Sequence, residues 1–284
     1  MGSCFVISAF GRQALLLSAA HVFREGLNVN GIRDLHHPSI PPDFRVARSS
    51  NRNLRSTRLL ALYRDGIDSG HFAEVLNVYI NEPLDIAVCS AYFPDSVSAH
   101  GGFSNRLAID AKPPELGTPV ICSGYGDTKL AVDIDASKGF SRALFDFRLE
   151  YRHGTVIDVF SNGDVARRYG PSFQVDVPVS SGMSGGPVIN KRYGDRVVAC
   201  GINMSDLSSE ETSQGSGSGL RAIAQMLWPC MGITVQHVEM DGKVGPVRLL
   251  ELAKRGMIED LGNSVVHVAG IPAPEVEQFS IAWR

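Results

Sequence analysis

Ser181-Gly182-Met183-Ser184-Gly185-Gly186-Pro187-Val188 decides the fold of this 284-residue chain. A serine sits among glycines, and the β-forming run Pro187-Val188-Ile189 follows directly. Glycine beside the serine allows backbone conformations closed to other residues and lets another molecule approach closely. A serine hydroxyl is a weak nucleophile until a base takes its proton. The negative oxygen that its attack creates also needs fixed donors, commonly two backbone N–H groups. Gly182 and Ser184 are the expected donor pair. A glycine-flanked serine between a strand and a helix would belong to a layered α/β sheet. Here the chain continues as a strand, which points to an all-β protein.

Toward the amino end, Leu15-Leu16-Leu17-Ser18-Ala19-Ala20-His21-Val22 runs from an apolar strand through small residues into a histidine. Of the eight histidines, His36, His37, His71, His100 and His153 have polar surroundings, and His237 and His267 lie near the carboxyl end. His21, at a strand terminus, is the candidate general base. Between it and the serine, Leu84-Asp85-Ile86-Ala87-Val88 opens an apolar strand with an aspartate. A carboxylate there is costly unless paired or hydrogen-bonded. A histidine Nδ1–H would pair it, fixing the ring's tautomer and steadying the imidazolium. Singly, a glycine turn, a strand-end histidine and a strand-capping aspartate have plain structural explanations. In the order His, Asp, Ser they supply a base, an orienting group and a nucleophile.

Short β-rich runs punctuated by Gly, Pro, Asp and Asn fill the chain to about residue 205, the pattern of a sandwich or barrel. Strands are predicted from Cys4 to Phe10, Gln13 to Ser18, Ala73 to Tyr79, Ile86 to Tyr92 and Pro119 to Gly124. Further strands are predicted from Leu144 to Tyr151, Gly154 to Phe160, Ser172 to Val177, Pro187 to Asn190 and Val197 to Ile202. The Pro113-Pro114 connector is stiff and extended. It separates a first barrel, about residues 1–109, from a second, about 116–205. Gly31 to Thr57, broken by Pro38 and Pro41-Pro42, is expected as a long surface loop, and Ser205 to Gly219 as a flexible stretch. Leu220, Ile223, Ala224 and Leu227 have helical spacing and predict a helix over 219–228, ending a domain of residues 1–230. Residues 231–284 are expected to form a small α/β appendage with a helix from Pro246 to Arg255, stopped by Gly256. Strands Gly232 to Val238 and Val265 to Ala269 flank that helix.

Hydrophobic residues make up 44% of the chain and charged residues 20%, an ordinary globular balance. A net charge of -3 leaves no basic footprint for nucleic acid. No apolar run approaches the roughly 20 residues that span a bilayer, so neither nucleic acid nor membrane is an expected partner. Cys4, Cys89, Cys122, Cys200 and Cys230 are odd in number and form no CxxC pair. They predict free thiols, no metal, no cofactor and a reducing, cytoplasmic compartment. The amino end lacks the basic first segment of a secretory leader.

At Ser18-Ala19-Ala20-His21, Leu84-Asp85-Ile86-Ala87 and Gly182 to Pro187 the sequence resembles the chymotrypsin-like (trypsin-fold) serine peptidases, over about residues 3 to 228. The resemblance implies two six-stranded antiparallel β-barrels with a terminal helix. It makes His21, Asp85 and Ser184 a catalytic triad between the barrels, with Gly182 and Ser184 forming the oxyanion hole. Asp176, eight residues before the serine, and Gly201-Ile202-Asn203 are similar to the second barrel of bacterial HtrA-type proteases. The appendage is too short and wrongly patterned for the PDZ domain that normally follows there. Met183 stands where digestive members carry an aspartate that pairs with a new amino terminus after zymogen cleavage, so that switch is not expected. Val22 replaces the cysteine of the disulfide beside the histidine. Pro178, six residues before the serine, occupies the aspartate position of Arg/Lys-specific members. With Ile202 and Met204 on the strand expected to wall the S1 pocket, it implies a small or apolar P1 residue.

These residues imply an endopeptidase acting on protein or peptide substrates. Without a zymogen switch, a regulatory protein partner is expected to restrain it through the Gly31 to Thr57 loop or the appendage, in a bacterial stress or defence system. A catalytically silent binding module on the same fold and an esterase with the same triad stay open as alternatives.

Overall fold

Gly11, with φ 57°, lets Phe5–Phe10 (β1) fold back onto Gln13–Ala19 (β2) through a tight turn that few other residues could make. The computed structural model describes residues 2–23, 32–35, 44–49, 60–64, 70–93, 106–135, 140–163, 170–206, 221–238, 244–261 and 277–281.

β1 and β2 begin an eight-stranded sheet. It also contains Ile32–Leu35 (β3), Phe44–Ser49 (β4), Leu60–Arg64 (β5), Gly70–Asn81 (β6) and Ile86–Tyr92 (β7). Its last member is Glu277–Ile281 (β17), and the order runs β1-β2-β7-β6-β17-β4-β3, with β5 also on β6. Ala108–Ile109 (β8) leads into the second half. There Pro119–Asp135 (β9), Phe140–Phe160 (β10), Ser172–Val175 (β11), Pro187–Asn190 (β12), Val198–Asp206 (β13) and Ala222–Met226 (β14) pair in a ring. The order β12-β9-β10-β11-β14-β13, closed by β12 on β13, is a six-stranded antiparallel barrel, with β8 parallel to β13 at its side. Closure removes the exposed edges that an open sheet would leave.

Alternation along these strands builds three cores. One lies inside the first sheet (Leu16, Val78, Ile80, Ala87, Cys89) and one inside the closed barrel (Cys122, Phe173, Val175, Met183, Val188). The third fills the seam, where Ile7, Leu17, Ile86 and Val88 of the first sheet meet Ile202, Met204 and Ile223 of the second. Met231, Leu249 and Leu252 join this third core from the carboxyl-terminal part. Burial of such side chains stabilises by about 1.5–3 kcal/mol each. The ends of β2 and β7 lie over this seam, and both candidate residues of the first half sit there.

The all-β, chymotrypsin-like fold expected from sequence is the one observed. Five details differ. The first half, expected as a six-stranded antiparallel barrel, is an eight-stranded sheet with one parallel pair, β17 on β4. Residues 219–228 hold no helix among the described positions: Ala222–Met226 is strand β14, and a 3-10 turn, Trp228–Gly232, follows it. The expected Gly31 to Thr57 loop contains β3 and β4, and its other residues lie outside the described ones. The expected helix at Pro246 is shorter, Leu249–Lys254, because Pro246 belongs to strand Val244–Arg248 (β16), paired with Thr234–Val238 (β15). Of the residues expected in the appendage, 277–281 (β17) enter the first sheet, parallel to β4 and antiparallel to β6. The predicted strand at Val265 to Ala269 and most of Ser205 to Gly219 lie outside the described residues.

Candidate active site

Asp85 ends the turn between β6 and β7. Asn81 Oδ1 accepts from the Leu84 N–H at 3.0 Å, and the Asp85 N–H donates to the Glu82 carbonyl at 2.9 Å. These bonds hold Asp85 in the left-handed region, φ 49°, which aspartate tolerates better than most residues. The conformation aims both its main chain and its side chain at the helical turn 20–23 that follows β2. Its carbonyl accepts from the Ala20 N–H at 3.0 Å, and its Oδ1 from the His21 N–H at 2.8 Å. Oδ2 lies 2.6 Å from His21 Nδ1. An ionised carboxylate can only accept, so the ring proton belongs on Nδ1 and Nε2 is the basic nitrogen. The His21 side chain is 42% exposed, open to an incoming substrate, whereas Asp85 is 27% exposed.

Ser184 reaches the same seam from the closed barrel. Its carbonyl accepts from the Ser3 N–H at 2.8 Å. A Cβ on Gly185 would run into the Ser3 carbonyl and the Ser18 hydroxyl and lie 3.0 Å from the Ala19 nitrogen, two residues before His21. With φ 87° at Gly185 as well, no other residue fits there. The Ser184 hydroxyl donates to the Met204 carbonyl on β13 at 2.8 Å.

The peptide groups around Ser184 are held one by one. Ser181 O accepts from the Asp127 N–H at 2.8 Å, and Met183 N–H closes a turn onto Ser180 O at 3.0 Å. Gly182 in that turn has φ 92°, as the third residue of a type II turn requires. Gly182 O accepts from the Ser3 hydroxyl at 2.8 Å. Met183 O accepts from Gly186 N–H at 2.9 Å, and Gly185 N–H donates to Asn203 O at 2.8 Å. In a trans peptide C=O and N–H point opposite ways. Fixing the Ser181 and Met183 carbonyls therefore fixes the Gly182 and Ser184 N–H groups. Among the described residues, neither of these two N–H groups has a protein acceptor.

Met183, fully buried, anchors the loop in the barrel core, its Cα 2.8 Å from where a Gly124 Cβ would stand. At the loop's start, Ser180 Oγ donates to Glu150 Oε2 at 3.0 Å, and Arg152 Nη2 binds the same oxygen at 2.6 Å. Of the expected pocket residues, Pro178 is half-buried. Ile202 and Met204, at 0% and 1% exposure, pack into the seam core and offer no side-chain surface to a substrate. That differs from the expectation, because β13 turns these side chains to the seam. Met204 presents its carbonyl to the serine instead.

Sequence reasoning misses Ser3 and Asp127. Ser3 lies 181 positions from the serine it serves, beyond any local pattern, and Asp127 acts through its backbone. All five thiols are unpaired, and burial raises their pKa values. Cys4 is pushed up to about 11, Cys122 and Cys230 up to about 12, and Cys89 and Cys200 are raised likewise. No thiolate is therefore at hand to compete with the hydroxyl. Among the described residues, no group of His, Cys, Asp and Glu side chains could hold a metal.

A double-lobed all-β fold with an imidazole clamped by a carboxylate and a glycine-flanked serine loop at the seam defines the chymotrypsin-like serine peptidases. The chain belongs to the family of the trypsin-like peptidase domain, which it matches over residues 2–202, and by that membership it is a hydrolase. The matched span takes in His21, Asp85 and Ser184. No curated protein matches it. Among solved structures it is similar to the inactive form of the Rv3671c protease of M. tuberculosis, at 14% identity, 79% of this chain, 77% of that one and TM-score 0.40. It is also similar to the HtrA-type protease AlgW with a decapeptide, at 16% identity, 79% of this chain and TM-score 0.45, spanning 47% of AlgW. Deg5 matches at 15% identity over 71% of this chain and 72% of its own, with TM-score 0.41.

Proposed function

We propose that Ser184, His21 and Asp85 are the catalytic triad of an endopeptidase that cleaves proteins or peptides. The observation that carries this reading is the clamp on His21, with Asp85 accepting at 2.8 Å from its main chain and standing 2.6 Å from Nδ1. In the reaction the Ser184 hydroxyl turns from the Met204 carbonyl to the imidazole and attacks the scissile carbonyl, while Nε2 takes its proton. The oxyanion settles on the Gly182 and Ser184 N–H groups. His21 then protonates the leaving amine, and water releases the acyl group by the reverse route. Ser184→Ala should lower kcat on the order of a millionfold and abolish labelling by a fluorophosphonate. Labelling that persists in the variant assigns the nucleophile to another residue.

Three finer points belong to the same proposal. A small or apolar P1 residue accords with Pro178 in place of the charge-selecting aspartate, which leaves no acidic group there to favour Arg or Lys; strict cleavage after Arg or Lys in a peptide library would overturn it. A reducing compartment, the cytoplasm, accords with five unpaired cysteines; disulfides in protein recovered from its native cells would contradict it. Restraint by a protein partner, in a bacterial stress or defence system, answers the lack of an ionic activation switch at Met183. Full-rate casein hydrolysis by the isolated chain, unaltered by native cell extract, would remove the need for a partner. Equal survival of stressed cells carrying wild type or Ser184→Ala would remove the stress or defence setting.

A further inference from the structure

Ser3 makes four hydrogen bonds, three of them across the seam to the second barrel and one to Ser18 of β2. Its N–H donates to Ser184 O at 2.8 Å, and its carbonyl accepts from the Ser18 hydroxyl at 2.7 Å. Its own hydroxyl donates to Gly182 O at 2.8 Å and accepts from the Tyr125 N–H on β9 at 2.8 Å. The residue is 3% exposed, so water does not replace these partners readily.

The Gly182–Met183 peptide lies between the two N–H groups assigned to the oxyanion. Ser3 Oγ holds its carbonyl end, and Ser180 O holds its N–H end. The next peptide to bear a Ser3 bond, Ser184–Gly185, lies on the other side of the nucleophile. A glycine at φ 92° is free to leave that conformation, because no Cβ restrains it. Preorganised donors stabilise a transition state only if they need not move when charge develops. We propose that Ser3 is a positioning residue, whose hydroxyl locks the oxyanion loop of the second barrel to the first sheet. It touches no reacting atom and acts through Gly182 and Ser184. The inference rests on the triad reading above.

The test compares wild type, Ser3→Ala and Ser3→Thr with a chromogenic peptide substrate and a peptide boronic acid. The boronic acid adds to Ser184 and places a tetrahedral oxygen where the oxyanion forms. Ser3→Ala should lower kcat about tenfold or more while KM stays within about twofold, a fraction of the loss caused by removing a donor outright. Boronate affinity should fall by the same factor as kcat/KM, and Ser3→Thr, which keeps the hydroxyl, should recover most of both. If Ser3→Ala does not fold, Ser3→Cys keeps the volume with a weaker donor and should show the same paired loss. Unchanged kcat and boronate affinity would overturn the proposal. So would a loss of activity that only follows a fall in thermal stability and leaves boronate affinity intact. Ser184→Ala, measured in parallel, separates the two readings. Turnover that survives it refutes the triad, whereas Ser184-dependent turnover untouched by Ser3→Ala refutes this inference alone.

Discussion

At Asp85, two carboxylate oxygens and a carbonyl oxygen all serve residues 20 and 21, and a left-handed backbone makes the geometry available. Asp85→Asn isolates the charge, because asparagine tolerates the same backbone and can still accept from the His21 main chain. It cannot both hold Nδ1–H and stabilise an imidazolium. In comparable triads that change costs about 10⁴ in kcat, and the same order is expected here by steady-state hydrolysis, with an unchanged circular dichroism spectrum. A loss below about tenfold would remove Asp85 from the relay. The cysteines carry a second prediction at this scale. Burial raises every thiol pKa, so at pH 8 the thiolate fraction is small, and all but the half-buried Cys4 are shielded from solvent. The reaction of native protein with a thiol reagent should be slow, becoming fast at all five cysteines in denaturant. A native cysteine that reacts as fast as free thiol would contradict the packing described. His21 and Asp85 stand out in the sequence because each puts a polar group at the end of an apolar strand, and Ser184 because glycines surround it just before a strand. Ser3 does not, since a serine before a strand is ordinary until its partners are known.

The loop from Ser180 to Gly186 behaves as an element in its own right, hung between a buried side chain and a lattice of backbone bonds. Met183 is its anchor, with 0% exposure in the core of the closed barrel. Met183→Leu conserves volume and should cost under about 1.5 kcal/mol. Met183→Ala should cost about 2–5 kcal/mol by denaturant titration and lower kcat more than it raises KM, since the anchor and the donors share one chain segment. An alanine variant with native stability would show that the loop stands without its anchor. Pro187–Asn190 and Ile86–Tyr92 match the sequence expectation because flanking turn residues bound them. β14 escaped it for a physical reason. All of Ala222–Met226 is buried, with Ala224 facing the barrel core and Ile223 the seam. A strand covered on both faces shows no alternation, and its apolar spacing then imitates a helix.

The whole molecule is tied together by its most distant segments. β17 lies between β4 and β6, so the first sheet needs backbone from beyond residue 276 to be continuous. Sequence could not foresee this, because a five-residue strand carries no mark of which edge it will join. The seam core adds a second tie, through Met231, Leu249 and Leu252. A chain ending at residue 276 would leave the facing edges of β4 and β6 with unpaired N–H and C=O groups. β6 in turn flanks β7, at whose start Asp85 sits. We expect the truncated chain to melt at least about 5 °C lower, given about 2–4 °C per kcal/mol for domains of somewhat smaller size. It should also lose most of its activity, since the carboxylate and the imidazole both sit at strand ends of the opened sheet. A synthetic peptide of residues 277–284 should restore part of both by adding a strand at the vacant edge. The same peptide with proline at position 279 should not, because proline removes a ladder donor. Native melting and native turnover in the truncated chain would mean that the first sheet holds His21 and Asp85 in place without its last strand.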